Sequence, residues 1–467
     1  MKVKLENPNF TQDYLRNLLA ARGVENFEEF LCPTSKYLES PSNLEFVDKG
    51  VELLQSTILE NKPILLVVDC DCDGFTSSAI IYQYIKKHSP DIEIEYVLHE
   101  GKQHGLEDTI DKIIAQEKTY GLVILPDSSS NDYEYHERLG ELGIPCLVLD
   151  HHLADPPFSD NAVIINNQLS PRYNNKALTG AGVAYQFCRR YDEVCGTNFA
   201  DEFIDLAALG VIGDMGSVLD MENRYIITKG LSNVKNYFFK TIAIKQAYSI
   251  TKQMASSWSE IQNHLTPITV VFYIVPLINA MIRVGTQAEK SRLFLGLING
   301  HEMVPCNKRG AKGTMEEVAV ESVRECVNAR THQKKDKESA VARIESKIFK
   351  YDLLENQILF VRLDEEDVFP PVLNGLVATQ LAEKYKHPTI VARLNDDGMI
   401  KGSIRGVSNS EFNNFRSYLN DTGLFEFVQG HESAAGCAIP EKNLRKLHEL
   451  ANKDLSEYNF TEAFFPV

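Results

Sequence analysis

The fold is decided between residues 63 and 75, where the chain reads Pro-Ile-Leu-Leu-Val-Val-Asp-Cys-Asp-Cys-Asp-Gly-Phe. The first half contains an unbroken apolar run, Ile64–Val68, which is typical of a strand buried on both faces of a sheet. The second half alternates aspartate with cysteine. Because alternate residues of an extended chain point the same way, this spacing predicts that Asp69, Asp71 and Asp73 converge while the intervening cysteines turn into the core.

Short apolar runs and amphipathic stretches alternate after this point. Gly74 permits a tight turn into a helix that we predict over residues 76–87. Further strands are predicted at 92–98, 122–125 and 146–149, and a further helix from about residue 106. Strands of this length separated by helical stretches indicate a parallel sheet with helices on both faces. The sequence therefore predicts an α/β fold whose N-terminal part is a doubly wound parallel sheet.

Acidic and imidazole side chains follow several of these strands. Asp127 ends the third predicted strand, Asp150-His151-His152 ends the fourth, and Asp214 follows a helical run. Ligands of such sheets bind outside the carboxyl ends of the strands, so we expect these groups to share one rim. Oxygen ligands with one or two imidazoles suit manganese or magnesium better than zinc. We expect Asp150 to orient an imidazole rather than to bind a metal itself.

A bland interpretation of each signal stays open at this point. An isolated acidic loop is often a helix N-cap, and an isolated pair of histidines is usually structural. The recurrence of carboxylates at successive strand ends favours a metal site, because convergent carboxylates repel one another unless a cation neutralises them. Two cations at this rim would activate a water and stabilise both in-line oxygens of a phosphoryl transfer.

The composition, with 43% apolar and 24% charged residues among 467, is that of a soluble globular protein with two or three packed units. The N-terminus lacks a secretory signal and we expect no apolar run of about 18 residues, hence a cytoplasmic protein without a membrane span. Nine scattered cysteines argue against a disulfide framework. The net charge of −17 opposes nucleic-acid binding. Carboxylates around divalent cations would weaken this objection without removing it, so we expect modest affinity with the positive charge confined to a cleft.

Four regions are predicted along the chain: a helical lead-in at 1–45, a catalytic α/β domain at 46–220, a helical connector with a polar insertion at 221–350, and a smaller α/β domain at 351–467. The insertion mixes glutamates with basic residues, namely Lys308, Arg309, Lys312, Arg330, Lys334, Lys335 and Lys337. A solvated helix or mobile insertion is the simpler interpretation. A basic surface that guides a nucleic-acid strand is the alternative.

Taken together, these motifs resemble those of the DHH phosphoesterases. The resemblance rests on the Asp-x-Asp-x-Asp-Gly segment, on Asp127, on the Asp-His-His triplet and on Gly213-Asp214. It extends across most of the chain and is strongest to the RecJ-like single-strand nucleases. Asn279-Ala280-x-x-Arg283 resembles a further RecJ element. Gly402-Ser403-x-Arg405 and Gly430-His431 resemble the DHH-associated substrate-binding domain.

The resemblance implies roles for individual residues. The metal ligands would be Asp69, Asp71, Asp73, Asp127, His151 and Asp214, with His152 joining them in catalysis. The phosphate oxygens of the substrate would be held by Arg283, Ser403, Arg405, Gly430 and His431. Val67 stands where many DHH proteins carry a histidine, and Asp69 is the natural substitute. Gln429 replaces the first glycine of the usual Gly-Gly-His sequence.

The leading hypothesis is a two-metal exonuclease, using Mn²⁺ or alternatively Mg²⁺, that degrades single-stranded DNA rather than RNA from the 5′ end. Repair, recombination or replication would be its setting, with a replication or repair protein as a partner. One alternative is a phosphodiesterase for short oligonucleotides or signalling dinucleotides, which the expected lack of an OB-fold favours and the long segment 215–350 opposes. Another is an inactive replication scaffold, which the retained aspartates and histidines disfavour.

Overall fold

The computed structural model describes residues 12–100, 103–116, 118–253, 257–311, 313–364, 367, 369–395, 397–407, 410, 412, 414–458 and 460. The chain divides into two compact units, Met1–Ala329 and Arg330–Val467. The division into four regions stays a prediction.

The first unit is built on a parallel sheet of five strands. They are β1 (Ile64–Val68), β2 (Ile94–Leu98), β3 (Leu122–Pro126), β4 (Cys146–Asp150) and β5 (Ala162–Asn166). Their order is β2-β1-β3-β4-β5, and all neighbours are parallel. The doubly wound α/β sheet is therefore confirmed, and its order reverses between β1 and β3. β5 was not predicted. Helices were expected between the strands, whereas β5 follows β4 without one, and the structure describes all of residues 151–161 between them.

Helices precede, flank and follow this sheet. The first six are α1 (Gln12–Ala20), α2 (Phe27–Leu31), α3 (Val47–Leu59), α4 (Cys72–His88), α5 (Ile110–Ala115) and α6 (Tyr133–Glu141). A helical layer continues with α7 (Gly180–Cys195), α8 (Ile204–Gly213), α9 (Met221–Ser232), α10 (Tyr237–Lys245), α11 (Ala247–Thr251), α12 (Trp258–Gln262), α13 (Pro267–Tyr273), α14 (Val275–Val284) and α15 (Gln287–Asn299).

The central strand β1 is buried on both faces. Ile64, Leu66 and Val68 belong to one hydrophobic cluster, which includes residues of α3, α4, α7 and α8. Leu65 and Val67 belong to a second cluster, which includes residues of α5 and α6. Because both faces are covered, the strand carries an unbroken apolar run, and its first polar residue comes where it leaves the sheet.

The helix after β1 begins four residues earlier than predicted. α4 starts at Cys72 rather than at Thr76, and Asp71 is its N-cap, accepting hydrogen bonds from the backbone N–H groups of Asp73 and Gly74. The predicted extended alternation of aspartates is therefore wrong beyond the end of the strand. The carboxylates converge because one follows the strand, one caps the helix and one lies in its first turn.

The polar segment after α15 is ordered as a hairpin and one long helix. The hairpin pairs β6 (Met303–Pro305) with β7 (Met315–Glu317), and α16 (Val318–Lys350) follows over 33 residues. α16 buries Val323, Cys326 and Ile344, whereas Lys334 and Lys335 are exposed. Lys334 and Lys335 thus lie on the exposed face of a helix, whereas Lys308 and Arg309 lie in the hairpin between β6 and β7. The choice between a solvated segment and a strand-guiding basic surface stays a prediction. Lys312 lies outside the described residues.

The second unit contains a mixed sheet. Its strands are β8 (Leu359–Leu363), β9 (Thr389–Leu394), β10 (Met399–Arg405), β11 (Phe427–His431) and β12 (Ala434–Pro440), in the order β11-β12-β10-β9-β8. Only the β8–β9 pair is parallel among these described neighbours. Helices α17 (Asn374–Tyr385), α18 (Phe415–Asp421) and α19 (Leu444–Asp454) complete the unit. The predicted smaller C-terminal α/β unit is confirmed.

Residues 267–284 form a longer apolar segment than was expected from the sequence. Pro267–Val284 is long and apolar enough by composition to cross a membrane, and 44% of it is buried. The expectation that no such run exists is therefore wrong. In the structure the run is divided between α13 and α14, and Ile274, Ile278 and Ala280 are fully buried in the core. Burial in a core selects the same apolar residues as a membrane does.

The structure explains the glycine at position 74 by close packing and not by the predicted tight turn, because Gly74 lies inside α4. A methyl group at this position would come within 2.6 Å of the Asp69 Cβ atom and 2.7 Å of its carbonyl oxygen. We expect Gly74→Ala to lower the free energy of unfolding by about 1–3 kcal/mol, as overpacking does. Denaturant titration of the purified protein measures this.

Gly436→Ala in β12 is the matched control, since its nearest neighbour atoms would be 3.9 Å from the added methyl group. An equal effect of the two substitutions would contradict the steric explanation.

Candidate metal centre

The structure brings the predicted metal ligands together at the carboxyl rim of the first sheet. Donor atoms of one group all lie within 4.8 Å of one another, and those of a second group do likewise. The first group is Asp69, Asp71 and Asp127, and the second is Asp73, His151 and Asp214. The two groups adjoin, because the Asp127 Oδ1 atom is 3.2 Å from the His151 Nε2 atom. This arrangement offers two neighbouring cation positions with Asp127 between them.

Asp127 is held in an unusual backbone conformation directly after β3. Its φ angle is +68°, in the left-handed region that aspartate visits less readily than glycine. The N-terminus of α7 packs closely against it, since a Cβ atom on Gly180 would come within 2.3 Å of the Asp127 Oδ1 atom. The strand end and the small residue together fix the carboxylate where the two groups meet.

Asp73 is buried and only half satisfied by hydrogen bonds. Its Oδ1 atom accepts hydrogen bonds of 3.0 Å from the Thr179 hydroxyl and from the backbone N–H of Ala181. Its Oδ2 atom is buried and has no hydrogen-bond partner among the described residues. A buried carboxylate oxygen without a donor is costly unless a cation or a proton neutralises it. The donor set therefore fits a divalent cation.

The carboxylates raise the pKa values of one another. Burial, together with the charges of Asp214 and Asp71, raises the pKa of Asp73 to about 8. Burial and the charge of Asp71 raise the pKa of Asp214 to about 6. Burial and the charge of Asp73 raise the pKa of Asp127 in the same way. A cluster in which full ionisation is this unfavourable is completed by positive charge.

Asp150 is bound to the second histidine of the triplet. Its Oδ1 atom lies 2.8 Å from His152 Nδ1 and accepts a hydrogen bond of 2.7 Å from the backbone N–H of His151. Burial lowers the pKa of His152, but the hydrogen bond and charge of Asp150 outweigh it and raise the pKa to about 9. The geometry matches the expected orienting role of Asp150, and the imidazole that it orients is that of His152.

Arg283 lies on the helix that also contacts the metal loop. The Asn279 side chain in α14 accepts a hydrogen bond of 3.0 Å from the backbone N–H of Cys72. Arg283 follows four residues later, so it lies on the same face of α14. No carboxylate in the part of the chain that the structure describes pairs with its guanidinium. It can therefore bind an anion without breaking an ion pair.

The remaining predicted phosphate ligands lie in the second unit, and three of them, Ser403, Arg405 and His431, share one face of its sheet. Arg405 in β10 is opposite Ala434 in β12, which is in turn opposite His431 in β11. Directly opposed residues of antiparallel strands point to the same face, as do residues two apart, which adds Ser403. Gly430, at φ +132°, adopts a backbone conformation that favours glycine.

Two histidines beside Asp69 were not predicted from the sequence. The His104 Nδ1 atom is 2.7 Å from Asp69 Oδ2, and the His99 Nε2 atom is 3.9 Å from Asp69 Oδ1. His99 directly follows β2, so the rule that placed the other ligands at strand ends also applied to it. It went unnoticed because the loop after β2 contains no run of carboxylates and histidines like those after β1 and β4.

Comparison with known proteins gives two kinds of match. Residues 63–211 match the model of the DHH family, N-terminal domain. A putative prophage-derived single-strand DNA-specific exonuclease, YorK, of Bacillus subtilis is 37% identical over 99% of this chain and 78% of its own length. The single-stranded-DNA-specific exonuclease RecJ of Bacillus subtilis is 25% identical over 95% of this chain.

A solved structure shows the same fold. RecJ from Thermus thermophilus in complex with Mn²⁺ superposes with a TM-score of 0.71 at 20% identity and covers 96% of this chain. This chain spans 59% of the Thermus protein and 53% of the Bacillus RecJ.

We expect the metal-free protein to lose stability as the pH rises from about 5 to about 8. The pKa values of Asp73 and Asp214 are higher in the folded state than in the unfolded chain, so the folded protein binds more protons. That contribution is lost as the pH rises through the folded-state values. Saturating Mn²⁺ should therefore raise the thermal midpoint more at the higher pH. Thermal unfolding in EDTA and in Mn²⁺ measures both effects.

Asp73→Asn is the matched variant, and it should flatten the pH dependence in EDTA. A metal-free midpoint that does not fall over this pH range would contradict the mutual repulsion of the carboxylates.

Proposed function

Because this chain belongs to the DHH family, and within it to the RecJ-like nucleases, we propose that it is a single-strand DNA exonuclease that works from the 5′ end with two divalent cations. Mn²⁺ is the preferred cation in this proposal and Mg²⁺ a weaker substitute. The names of the two Bacillus relatives support the substrate. The solved Mn²⁺ complex of the Thermus protein supports the cation.

One observation carries the proposal: two groups of three metal-ligand side chains adjoin at Asp127. Its Oδ1 atom lies 3.2 Å from the imidazole of the second group, and its donor atoms lie within 4.8 Å of the carboxylates of the first. A carboxylate shared in this way is what holds two cations close together. Two bound cations would lower the pKa of a water and stabilise the attacking and leaving oxygens of an in-line displacement.

Side chains of the first unit can bind and orient the substrate around this centre. His152 has a half-exposed ring whose Nδ1 atom is held by Asp150, so its other ring nitrogen remains to donate to a phosphate oxygen. Arg283 has no competing carboxylate partner among the described residues, and its guanidinium can hold a second oxygen. In the second unit, Arg405 and His431 share one face of the sheet and can hold a further phosphate.

The net charge of −17 is compatible with this substrate on local grounds. Several aspartates surround the metal centre, where two divalent cations would add four positive charges. An acidic protein can therefore present a positive site to a polyanion once it is loaded with metal. Away from the site, the negative surface should keep binding of the DNA weak and dependent on metal.

We expect Asp127→Asn to abolish hydrolysis of single-stranded DNA without unfolding the protein, because burial of the strand and not the carboxylate stabilises the fold. The measurement is digestion of 5′- and 3′-labelled single strands, a duplex and a dinucleotide, with Mn²⁺, Mg²⁺ or EDTA. The wild type should release mononucleotides from the 5′ end of the single strand only.

Other outcomes of this digestion are decisive. Faster cleavage of the dinucleotide than of the strand would replace the proposal with a small-substrate phosphodiesterase. No hydrolysis of any substrate in Mn²⁺ would indicate an inactive scaffold. Full activity of a folded Asp127→Asn protein would contradict the two-cation assignment.

Arg283→Ala should weaken binding of a single strand by roughly tenfold to a hundredfold, because a hydrogen bond to a charged group contributes about 1.5–3 kcal/mol. Mn²⁺ affinity should not change, since Arg283 offers no metal ligand. Binding to a labelled strand in Ca²⁺ and calorimetry with Mn²⁺ measure the two quantities separately. Arg138→Ala on α6 is the control, because Arg138 pairs with Asp111 at the surface. Loss of Mn²⁺ in the Arg283 variant would show that Arg283 is misassigned.

A further inference from the structure

Two imidazoles that the assigned metal ligands do not include lie beside Asp69. Both follow β2, the strand next to β1, so they reach the same rim of the sheet. The His104 Nδ1 atom is 2.7 Å from the Asp69 Oδ2 atom, and the His99 Nε2 atom is 3.9 Å from the Asp69 Oδ1 atom. The first group of metal ligands otherwise contains only carboxylates, whereas the second contains His151.

His99 is held as metal-site histidines commonly are. Its Nδ1 atom lies 2.6 Å from the Asp108 carboxylate, and its side chain is 1% exposed. Its Nε2 atom is buried and has no hydrogen-bond partner among the described residues. A carboxylate at one ring nitrogen fixes the tautomer and aims the other nitrogen, here towards Asp69. The buried Nε2 atom thus faces the Asp69 carboxylate, whose Oδ1 atom is 3.9 Å away.

The His104 side chain is accessible to solvent, whereas that of His99 is not. Its side chain is 49% exposed, and its ring lies 3.8–3.9 Å from the Cys70 sulfur as well as against Asp69. Donor atoms bonded at about 2.1 Å to one small cation lie roughly 3 Å apart. The separation of 2.7 Å between His104 Nδ1 and the Asp69 oxygen is close to that value, so both atoms can bind one ion with little movement.

The loop after β2 also reaches the face to which residue 67 points. Val67 and Leu106 belong to one hydrophobic cluster, and Leu106 follows His104 by two residues. Val67 is fully buried and offers no ligand at the position where many DHH proteins carry a histidine. An imidazole from the neighbouring loop can therefore replace one from the strand.

We propose that His104 is the imidazole ligand of the cation position formed by Asp69 and Asp71, and that His99 is a positioning residue that holds Asp69 towards it. This inference rests on the proposed two-cation function. It assigns to the loop after β2 a role in metal selection, because an imidazole favours Mn²⁺ over Mg²⁺ relative to an all-carboxylate site.

The test detects nitrogen bound to Mn²⁺ by pulsed electron paramagnetic resonance on the full-length protein, with calorimetry for affinity. His151→Ala removes the imidazole of the second group, so any ¹⁴N coupling that remains comes from another histidine. We expect the coupling to persist in His151→Ala and to vanish in His104→Ala/His151→Ala. His104→Ala alone should lower Mn²⁺ affinity at one position by about tenfold to a hundredfold, and Mg²⁺ affinity less.

His99→Gln in the His151→Ala background separates the two roles, since it should weaken Mn²⁺ binding but keep the ¹⁴N coupling of the His104 ring. His301→Ala is the control, because His301 is exposed and pairs with Glu317. Thermal unfolding of each variant in EDTA verifies the fold.

Two results overturn the inference while leaving the proposed function intact. One is loss of all ¹⁴N coupling in His151→Ala with two Mn²⁺ still bound. The other is a ¹⁴N coupling that survives in His104→Ala/His151→Ala but is lost in His99→Gln/His151→Ala, which would make His99 the ligand. Failure of the wild type to bind Mn²⁺ overturns the inference and the proposed function together.

Discussion

The repulsion between buried carboxylates at one end of a parallel sheet is the constraint on which the rest of this protein depends. Asp73, Asp127 and Asp214 are held close together, and burial makes their ionisation unfavourable. Two glycines allow the close packing that holds these side chains in place, since Gly74 lies against the Cβ atom and backbone carbonyl of Asp69 and Gly180 lies against the carboxylate of Asp127. Two divalent cations would remove the repulsion and turn a destabilising cluster into a binding site.

The sequence predicted the sheet and most of this cluster because both follow simple rules. An unbroken apolar run identified β1 as a strand buried on both faces, and carboxylates after successive strands located the rim. The rules failed where local structure departs from regular alternation. Asp71 caps a helix instead of continuing a strand, and β5 follows β4 without a helix. His99 and His104 were missed because the loop after β2 contains no run of carboxylates and histidines, although the pairing of β2 with β1 brings both rings to Asp69.

The proposed phosphate ligands lie in both units, and those of each unit were predicted from short motifs. Arg283 is connected to the metal loop through Asn279, which binds the backbone of Cys72. Arg405 and His431 share a sheet face with the small residue Ala434 between them. The motifs identified Arg405 and His431 as phosphate ligands. They could not show that the two residues are aligned across β12, because that register is set by strand pairing. The polar stretch around Lys334 was ambiguous for a similar reason, since only the packing of α16 shows which of its faces is exposed.

Anomalous diffraction from crystals grown in Mn²⁺ tests most directly whether two cations share Asp127. The account predicts two anomalous peaks at the rim of the first sheet. One should lie among Asp73, His151 and Asp214, the other beside Asp69 and Asp71, and both within bonding distance of the Asp127 carboxylate. A single peak, or two peaks of which only one contacts Asp127, would contradict the account.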